Sequence, residues 1–343
     1  MSIFDGELED GVRKVLDILP PRTRKIVERR YGLFGNAPST LEAIGRKEGV
    51  TRERVRQIEN DSLKRIRAHT SFHVLDGAFK KLEQLFEAKG GVLSEPHLSD
   101  EEYFGSPQTQ QLAVFLLELA GFAERAKETP HFYARWYHAK LPRQQFEKAL
   151  SQFTDQLEKK DGGAVPEVDF FDAMKRALVG AGISTKPTQL RSYFTVLRPV
   201  EKNAWGEYGH ISSPIVKPRG MKDEAYIALS KAKKPLHFTE IAERISNATE
   251  RKVHVQTVHN ELIKDTRFVL VGRGLYALKD WGFRPGFVKD VIIEILREGP
   301  QDEDSIVQAV TNRRFVKRST VRTNLQNKDL FVQLDDGSFT LVS

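Results

Sequence analysis

The sequence contains no cysteine, and this absence excludes disulfide bonds, thiolate metal sites and thiol nucleophiles together. It also lacks a run of about 20 apolar residues, the length that spans a membrane. The longest candidate, residues 112–120, is interrupted by Glu118. The first residues are acidic and lack the apolar core of a secretory signal. We therefore expect a cytoplasmic protein without a membrane span.

Recognisable catalytic patterns are also missing from the sequence. It has no Walker-type phosphate loop, no dinucleotide-binding glycine fingerprint and no His-Glu-x-x-His zinc helix. The nine histidines are scattered, and carboxylates are common but stand in no arrangement that favours a nuclease metal site over ordinary helix charge. The sequence predicts a protein that is not an enzyme and that needs no metal or cofactor.

The charge balance of the chain is basic. It carries 54 Lys and Arg against 47 Asp and Glu, a formal net charge of +7, with a pI of about 9.3. This balance fits a polyanionic partner such as nucleic acid, although a solvated positive face gives the same count. With 343 residues, of which 39% are hydrophobic, the chain is long enough for several domains with ordinary cores.

The amino-terminal segment has the capping residues and turn glycines of a helix-turn-helix. Residues 8–19 and the segment around Tyr31 predict two helices, the second ended by Gly32. The segment 39–42 has capping-box spacing, in which the Ser39 hydroxyl and the Glu42 carboxylate satisfy each other's free backbone amides. A short helix is expected to begin there and to end at a left-handed Gly49. Thr51 is placed to cap a longer helix, which completes the motif.

The helix predicted at residues 52–67 separates a core face from a polar face. Val55, Ile58 and Ile66 lie along one stripe. Two residues along a helix is about 200° of rotation, so Glu53 and Gln57 project away from that stripe. Arginine pairs with guanine, glutamine pairs with adenine and a carboxylate accepts from cytosine, and each contact discriminates by about 1–3 kcal/mol. The alternative is a charged amphipathic helix in a bundle, which the preceding short helix and glycine turn disfavour.

The segments LPPRTRKIVERRYGLFG and STLEAIGRKEGVTRERVRQIENDSLKRIR closely resemble region 4 of the main bacterial sigma-factor family. That family uses region 4 to bind the upstream promoter element and to touch the flap of the RNA polymerase β subunit. The resemblance covers residues 8–67 and implies that Arg52, Glu53 and Gln57 read bases. It makes Arg54 and Arg56 backbone contacts, and the other basic residues of this helix that are placed to hold phosphates are Lys64, Arg65 and Arg67.

The carboxy-terminal part of the chain repeats itself. Residues 257–262, TVHNEL, align with residues 320–325, TVRTNL, and the register persists without a gap through two following apolar stretches in each copy. In the first copy, helices are predicted at residues 222–230 and 239–246 before the aligned helix, and in the second at 286–297 and 303–311. Three helices followed by a hairpin predict a winged helix in each copy.

The first copy, from PRGMKDEAYIALSKAKKPLHFTEIAERI to FVLVGRGLYALKDWGF, resembles the HARE-type winged helix, which also forms the amino-terminal domain of the RNA polymerase δ subunit. The resemblance implies association with nucleic acid or with polymerase, and DNA contact and protein contact stay open. The second copy carries a basic patch that is either a phosphate-binding site or a solvated face. Its members are Arg313, Arg314, Lys317, Arg318 and Arg322.

The middle of the chain is less regular. Helical patterns at residues 79–86, 109–119, 146–157, 170–178 and 188–197 alternate with hairpin patterns at 122–137 and 198–211, which suggests two degenerate winged helices. The predicted fold is therefore mainly α with small β-hairpin wings, as a helix-turn-helix followed by tandem winged-helix modules. The predicted domains are 1–71 for the region 4-like helix-turn-helix, 72–140 and 141–215 for the degenerate modules, 219–284 for the HARE-type module and 285–343 for the second repeat.

The leading hypothesis from the sequence is a nucleoid-associated, sequence-specific transcription regulator that binds double-stranded DNA and RNA polymerase through its β flap. Because the chain has almost nothing where a sigma factor carries its promoter-melting regions, we expect it not to initiate transcription alone. Two alternatives stay open. One is a polymerase-associated interaction protein that reads little DNA, and the other is the DNA-recognition subunit of a restriction or repair system.

Overall fold

The computed structural model describes residues 7–98, 107–159, 163–283, 287–314 and 316–342. Fifteen α-helices dominate these described residues, and the strands form small antiparallel sheets. The prediction of a mainly α fold with small β hairpins is therefore confirmed. Within the described residues, every helix is too short or too polar to cross a bilayer.

The chain divides into two compact units. The amino-terminal unit contains residues 1–161 and 165–201, and the carboxy-terminal unit contains residues 162–164 and 202–343. The finer domain boundaries inside these units stay predictions. The boundary at 284–285 lies outside the described residues.

Four helices begin the amino-terminal unit: α1 (Glu7–Leu16), α2 (Pro21–Tyr31), α3 (Leu41–Glu48) and α4 (Arg52–Ala68). Helix α1 ends three residues before the predicted residue 19, and a turn leads to Pro20. Helix α2 ends at Gly32, which has a φ of 69° and is the left-handed cap that the sequence predicted.

The capping box predicted at residues 39–42 does not form. Thr40 is the N-cap of α3, and its hydroxyl accepts a hydrogen bond from the amide of Ala43. Ser39 stands one residue too early, and its amide already donates to the carbonyl of Arg29 at 2.8 Å. The predicted caps at Gly49, with a φ of 67°, and at Thr51 are confirmed.

The rest of the amino-terminal unit alternates helices with short strands. In chain order it contains α5 (Asp76–Lys89), β1 (Val92–Ser94), α6 (Pro107–Leu119), β2 (Ala123–Ala126), β3 (Arg135–His138), α7 (Arg143–Lys159), β4 (Ala164–Pro166), α8 (Glu167–Gly180), α9 (Pro187–Thr195) and β5 (Val200–Lys202). The first residue of β4 and the last residue of β5 already belong to the carboxy-terminal unit. Strands β2 and β3 are the predicted hairpin, and β1, which the sequence did not predict, pairs antiparallel with β3. All five predicted helical patterns form helices.

One hydrophobic core joins the first helices of the chain to the elements that follow them. Buried side chains of α1, α2 and α4 belong to the same cluster as those of α5, α6, β1 and β3. In its middle, the ring of Tyr31 on α2 packs edge-on against Phe115 on α6, with centroids 5.1 Å apart. The amino-terminal helices therefore do not complete their core by themselves.

The carboxy-terminal unit contains both copies of the repeat after strand β6 (Glu207–His210). The first copy consists of α10 (Met221–Ala232), β7 (Leu236–His237), α11 (Phe238–Thr249), α12 (Val255–Lys264), β8 (Phe268–Gly272) and β9 (Leu275–Leu278). The second consists of α13 (Val288–Leu296), α14 (Glu303–Arg313), α15 (Arg318–Leu325), β10 (Phe331–Gln333) and β11 (Phe339–Leu341). In both copies three helices precede an antiparallel hairpin.

Candidate nucleic-acid interface

Helices α3 and α4 form a compact pair at one surface of the amino-terminal unit. Ile26 of α2, Ile44 of α3 and Val55 of α4 are buried against one another as a small cluster of their own. A Cβ atom at Gly45 would lie 2.7 Å from the carbonyl oxygen of Val50, so only glycine allows the turn to approach α3 this closely. The two helices are thus fixed in a helix-turn-helix.

One face of α4 is buried and the other is open to solvent. Val55, Ser62, Leu63 and Ile66 are buried, as the predicted stripe requires, and Ile58 is half-buried. The three side chains predicted to read bases, Arg52, Glu53 and Gln57, are all exposed. The basic side chains predicted to contact the backbone are exposed as well, namely Arg54, Arg56, Lys64, Arg65 and Arg67.

Two side-chain pairs order the exposed face of α4. The guanidinium of Arg56 donates to both carboxylate oxygens of Glu53, at 2.9 and 2.6 Å. Arg54 donates to the amide oxygen of Gln57 at 3.2 Å. The hydrogen bonds from Arg56 lower the pKa of Glu53, which keeps this carboxylate charged and able to accept. These pairs hold polar groups in place on the solvent side of the helix.

Glu59 is a buried carboxylate that the sequence reading missed. It lies on the core side of α4, where the Tyr31 hydroxyl donates to it at 2.9 Å and the Arg30 guanidinium at 3.1 Å. Burial and the charge of Glu59 raise the pKa of the Tyr31 phenol, which therefore keeps the proton that it donates. The signal was in the spacing, because Glu59 is four residues after Val55 and falls on the buried stripe. This contact ties α4 to α2.

Arg67 has a structural partner in the same unit. Its guanidinium donates to the carbonyl oxygens of Leu119, at 3.2 Å, and of Glu118, both at the carboxyl end of α6. A cation at this position satisfies carbonyls that the helix leaves free. Arg67 therefore fastens α4 to α6, and because its side chain is still exposed, its assignment as a phosphate contact stays a prediction.

Glu118 lies beside this junction, and its environment sets a testable pH dependence. Burial, together with the negative charge of Glu59, raises the pKa of the Glu118 carboxyl. The folded protein therefore binds this proton more tightly than the unfolded chain does, and the charged carboxylate destabilises the fold at pH values above its folded pKa. We expect Glu118→Gln to raise the melting temperature near neutral pH.

The gain should shrink as the pH falls toward the unfolded pKa of a glutamate, about 4.3, because the wild-type side chain is then neutral in both states. Thermal melting at several pH values measures the difference. Glu87→Gln, on an exposed position of α5, is the matched control and should change little. A stabilisation by Glu118→Gln that is equally large in acid would contradict this assignment.

The basic patch predicted in the second repeat loses one of its members. Arg314 is only 4% exposed, and it donates to the carbonyl oxygens of Val271 at 3.4 Å and Leu270 at 3.3 Å on β8. Burial lowers the pKa of its guanidinium. Arg314 therefore holds the two repeat copies together and is not available to phosphate.

The remaining members of the patch keep some access to solvent. Lys317 and Arg318 are exposed at the start of α15, and Arg313 is half-buried. Arg322 is exposed but forms a salt bridge with Glu303. Among the residues that the structure describes, no group of three or more histidine, aspartate or glutamate side chains is arranged to hold a metal ion. The prediction that the chain needs no metal or cofactor stays a prediction.

The helix-turn-helix geometry coincides with a known family. Residues 15–68 match the family described as Sigma-70, region 4. They are a region 4 domain. This domain accounts for α2, α3, α4 and the end of α1.

A curated relative gives the same result over a limited stretch. The RNA polymerase sigma factor RpoS of Coxiella burnetii (strain RSA 493 / Nine Mile phase I) is 43% identical to this chain over 74 residues. The match covers 22% of this chain and 20% of the sigma factor. The chain thus spans about one fifth of the length of this relative.

Proposed function

We propose that this protein is a sequence-specific DNA-binding transcription regulator, which reads a promoter-like element through its region 4 domain and associates with RNA polymerase. The observation that carries the proposal is the exposed face of α4. It presents Arg52, Glu53 and Gln57 to solvent, whereas the opposite face is buried on α2 and α3. The proposal places the protein in the cytoplasm, on the nucleoid, and assigns it no catalytic activity.

The side chains of this face suit the donor and acceptor groups of the major groove. A guanidinium donates to the acceptors of guanine, and a glutamine amide offers both a donor and an acceptor to adenine. Glu53 accepts from the cytosine amino group once Arg56 turns toward a phosphate. In the free protein the Arg56–Glu53 and Arg54–Gln57 pairs keep these groups on the helix surface, and the arginines move to phosphates when the groups bind bases.

Phosphate contacts would set the register of the helix on the duplex without reading sequence. The exposed cations of α4 that serve this purpose in the proposal are Arg54, Arg56, Lys64 and Arg65. The two repeat copies add contacts to DNA or polymerase as tandem winged helices, the first of HARE type. Three helices followed by a hairpin in each copy support that assignment.

Fluorescence anisotropy at several salt concentrations tests the proposal. We expect the protein to prefer a duplex with the sigma-type upstream element TTGACA over a scrambled duplex. Replacing Arg52, Glu53 and Gln57 together with alanine should abolish that preference, with a loss of about tenfold or more, because each good base contact discriminates by about 1–3 kcal/mol. The slope of affinity against salt should change little, since most phosphate contacts remain.

A matched variant on the same helix separates base reading from charge. Lys64→Ala combined with Arg65→Ala should weaken binding to both duplexes alike and reduce the salt slope by about 1 for each lost phosphate contact. If the wild-type protein binds the two duplexes equally, TTGACA is not its element. Weak binding to every DNA tested would contradict DNA reading altogether.

A polymerase-associated interaction protein is the second candidate function. It is favoured by the Coxiella relative, which is named as an RNA polymerase sigma factor, and it would use the region 4 domain to hold the β flap. This candidate function predicts experimental results that differ from those expected of a DNA-reading protein. Alanine at Arg52, Glu53 and Gln57 would leave capture of purified RNA polymerase unchanged, and no DNA sequence would be preferred.

A further inference from the structure

Helix α12 of the first repeat copy presents a second polar face to solvent. It is the last of three helices and directly precedes the β8–β9 hairpin. Val258 and Leu262 are buried, and Gln256 and Asn260 are exposed. Because two residues along a helix is about 200° of rotation, both amides project away from the buried Val258. The core therefore leaves these two side chains for another task.

The two amides are joined by a hydrogen bond that leaves one hydrogen-bond donor and one acceptor for a ligand. Gln256 Nε2 donates to Asn260 Oδ1 at 3.1 Å, and among the described residues the Gln256 side-chain oxygen and the Asn260 amide nitrogen form no other hydrogen bond. If both amide groups were turned over, the pair would still offer one acceptor and one donor. Adenine presents the complement in the major groove, an N6 donor beside an N7 acceptor.

We propose that α12 reads an A·T base pair in the major groove through the Gln256–Asn260 pair, so that the chain recognises a second block of sequence besides the one read by α4. The inference rests on the proposed function, since it makes the first repeat copy a DNA-reading module of the same regulator. The chain thereby recognises a bipartite site.

Basic side chains at both ends of this face suit the flanking phosphates. Lys252 is exposed just before α12, and Arg273 is exposed in the turn between β8 and β9. Val255, which is 39% exposed at the first position of α12, offers an apolar contact of the kind that a thymine methyl group accepts. Charge around the helix thus positions the duplex while the amides read it.

The aligned helix of the second copy, α15, carries different side chains on the corresponding face. At the positions that align with Gln256 and Asn260, α15 carries Ser319 and Thr323, and it begins with Lys317 and Arg318. Short hydroxyls between cations hold phosphates and discriminate bases weakly. The amide pair is therefore a property of the first copy and not of the repeat in general.

A protein partner is the competing occupant of this surface. Ile263 is 64% exposed on α12 and Leu270 is 46% exposed on β8, and exposed apolar side chains of this kind also mark protein contacts. We favour DNA because the amides occupy the solvent side of the helix in a paired arrangement that fits a base edge. Contact with RNA polymerase is kept as an outcome of the test.

The test is selection of sequences from a random duplex library by the full-length chain, followed by sequencing. The wild-type protein should enrich two blocks. Gln256→Ala with Asn260→Ala should lose one of them, a block containing an A·T pair, and weaken discrimination at that pair by about 5- to 150-fold. Alanine favours helices, so the exposed substitutions should leave the melting temperature unchanged.

A matched control uses the same residue types at the same spacing on another helix. Gln308 and Asn312 are both exposed on α14, and Gln308→Ala with Asn312→Ala should enrich the same two blocks as the wild type. If the α12 variant also enriches both blocks, α12 reads no base and the inference is overturned. It is equally overturned if that variant keeps both blocks but loses capture of purified RNA polymerase, since the face is then a protein contact.

Substitutions on α4 keep this inference separable from the proposed function. Arg52→Ala with Gln57→Ala should remove the other block only. If the wild type enriches a single block that these α4 substitutions abolish, region 4 reading stands and the α12 inference fails. If the α4 substitutions remove nothing while the α12 variant loses its block, the proposed role of α4 fails and α12 is the reader. No enrichment by the wild type overturns both.

Discussion

Replacing Phe115 with alanine is expected to lower the free energy of unfolding of the amino-terminal unit by about 3–5 kcal/mol. The ring is fully buried and packs edge-on against Tyr31 at 5.1 Å, at the point where α6 meets the region 4 domain. Alanine would leave a cavity between these elements, and the protein interior relaxes only partly around such a gap. The loss should therefore reach α4 as well as α6.

Urea unfolding followed by circular dichroism measures the change, and hydrogen exchange locates it. Faster exchange of the core amides of α4 should accompany the loss of stability, because local protection depends on the packing that the cavity removes. Phe287→Ala is the control, since this ring is 73% exposed and surface substitutions usually change stability by less than about 0.5 kcal/mol. A loss below about 1 kcal/mol for Phe115→Ala would place the ring outside the core.

Arg135→Met is expected to lower the free energy of unfolding by about 3–5 kcal/mol, because it breaks a buried ion pair by removing one partner. Arg135 on β3 is 1% exposed. It donates to the carbonyl oxygens of Lys127 and Tyr133, both at 3.0 Å, and forms a salt bridge with Glu147 on α7. Methionine keeps most of the volume but leaves these acceptors without their donor.

Arg143→Met is the matched control for this substitution. Arg143 also bridges to Glu147, at 3.1 Å, but its side chain is 37% exposed, and exposed pairs contribute about 0–1 kcal/mol. Chemical unfolding of both variants should therefore separate them clearly. Equal losses for the two variants would show that burial of Arg135 is not what makes its ion pair important.

The loss of unfolding free energy caused by Arg135→Met should also depend on pH. Burial alone would raise the pKa of Glu147, but hydrogen bonds from Arg135 and Arg143 outweigh it and lower that pKa. A carboxyl with a lowered folded pKa stabilises the fold above its unfolded pKa, about 4.3, and this contribution is lost as the pH falls through the folded value. The difference between wild type and Arg135→Met should therefore narrow in acid.

Local signals in the sequence were enough to predict the region 4 helices and their caps. Thr51 and Gly49 act through backbone atoms a few residues away, so their roles can be read without knowing the fold. The capping box at Ser39 was wrong by one residue, because the Ser39 amide is engaged by Arg29 of another helix. Sequence patterns fix the elements better than they fix which neighbouring residue makes a tertiary contact.

Arg67 and Arg314 show why part of the candidate site was not predictable. Both were assigned to phosphate from their charge and position, and both donate to main-chain carbonyls, of residues 118–119 and 270–271. Only Arg314 is buried by its contacts. Those partners lie far away in sequence, and no periodic pattern predicts such contacts. The buried Glu59, by contrast, was within reach of sequence reasoning, since it falls on the core stripe of α4.

The contact between Arg67 and α6 affects the order in which parts of the protein fold during synthesis. Arg67 and its partner Leu119 are 52 residues apart, and the core of the first helices is completed by the same later segment. During synthesis at about 5–20 residues per second, a ribosome needs about 3–10 s to make that stretch. A nascent chain that already contains all of α4 must therefore wait for α6 before its DNA-reading surface acquires its final support.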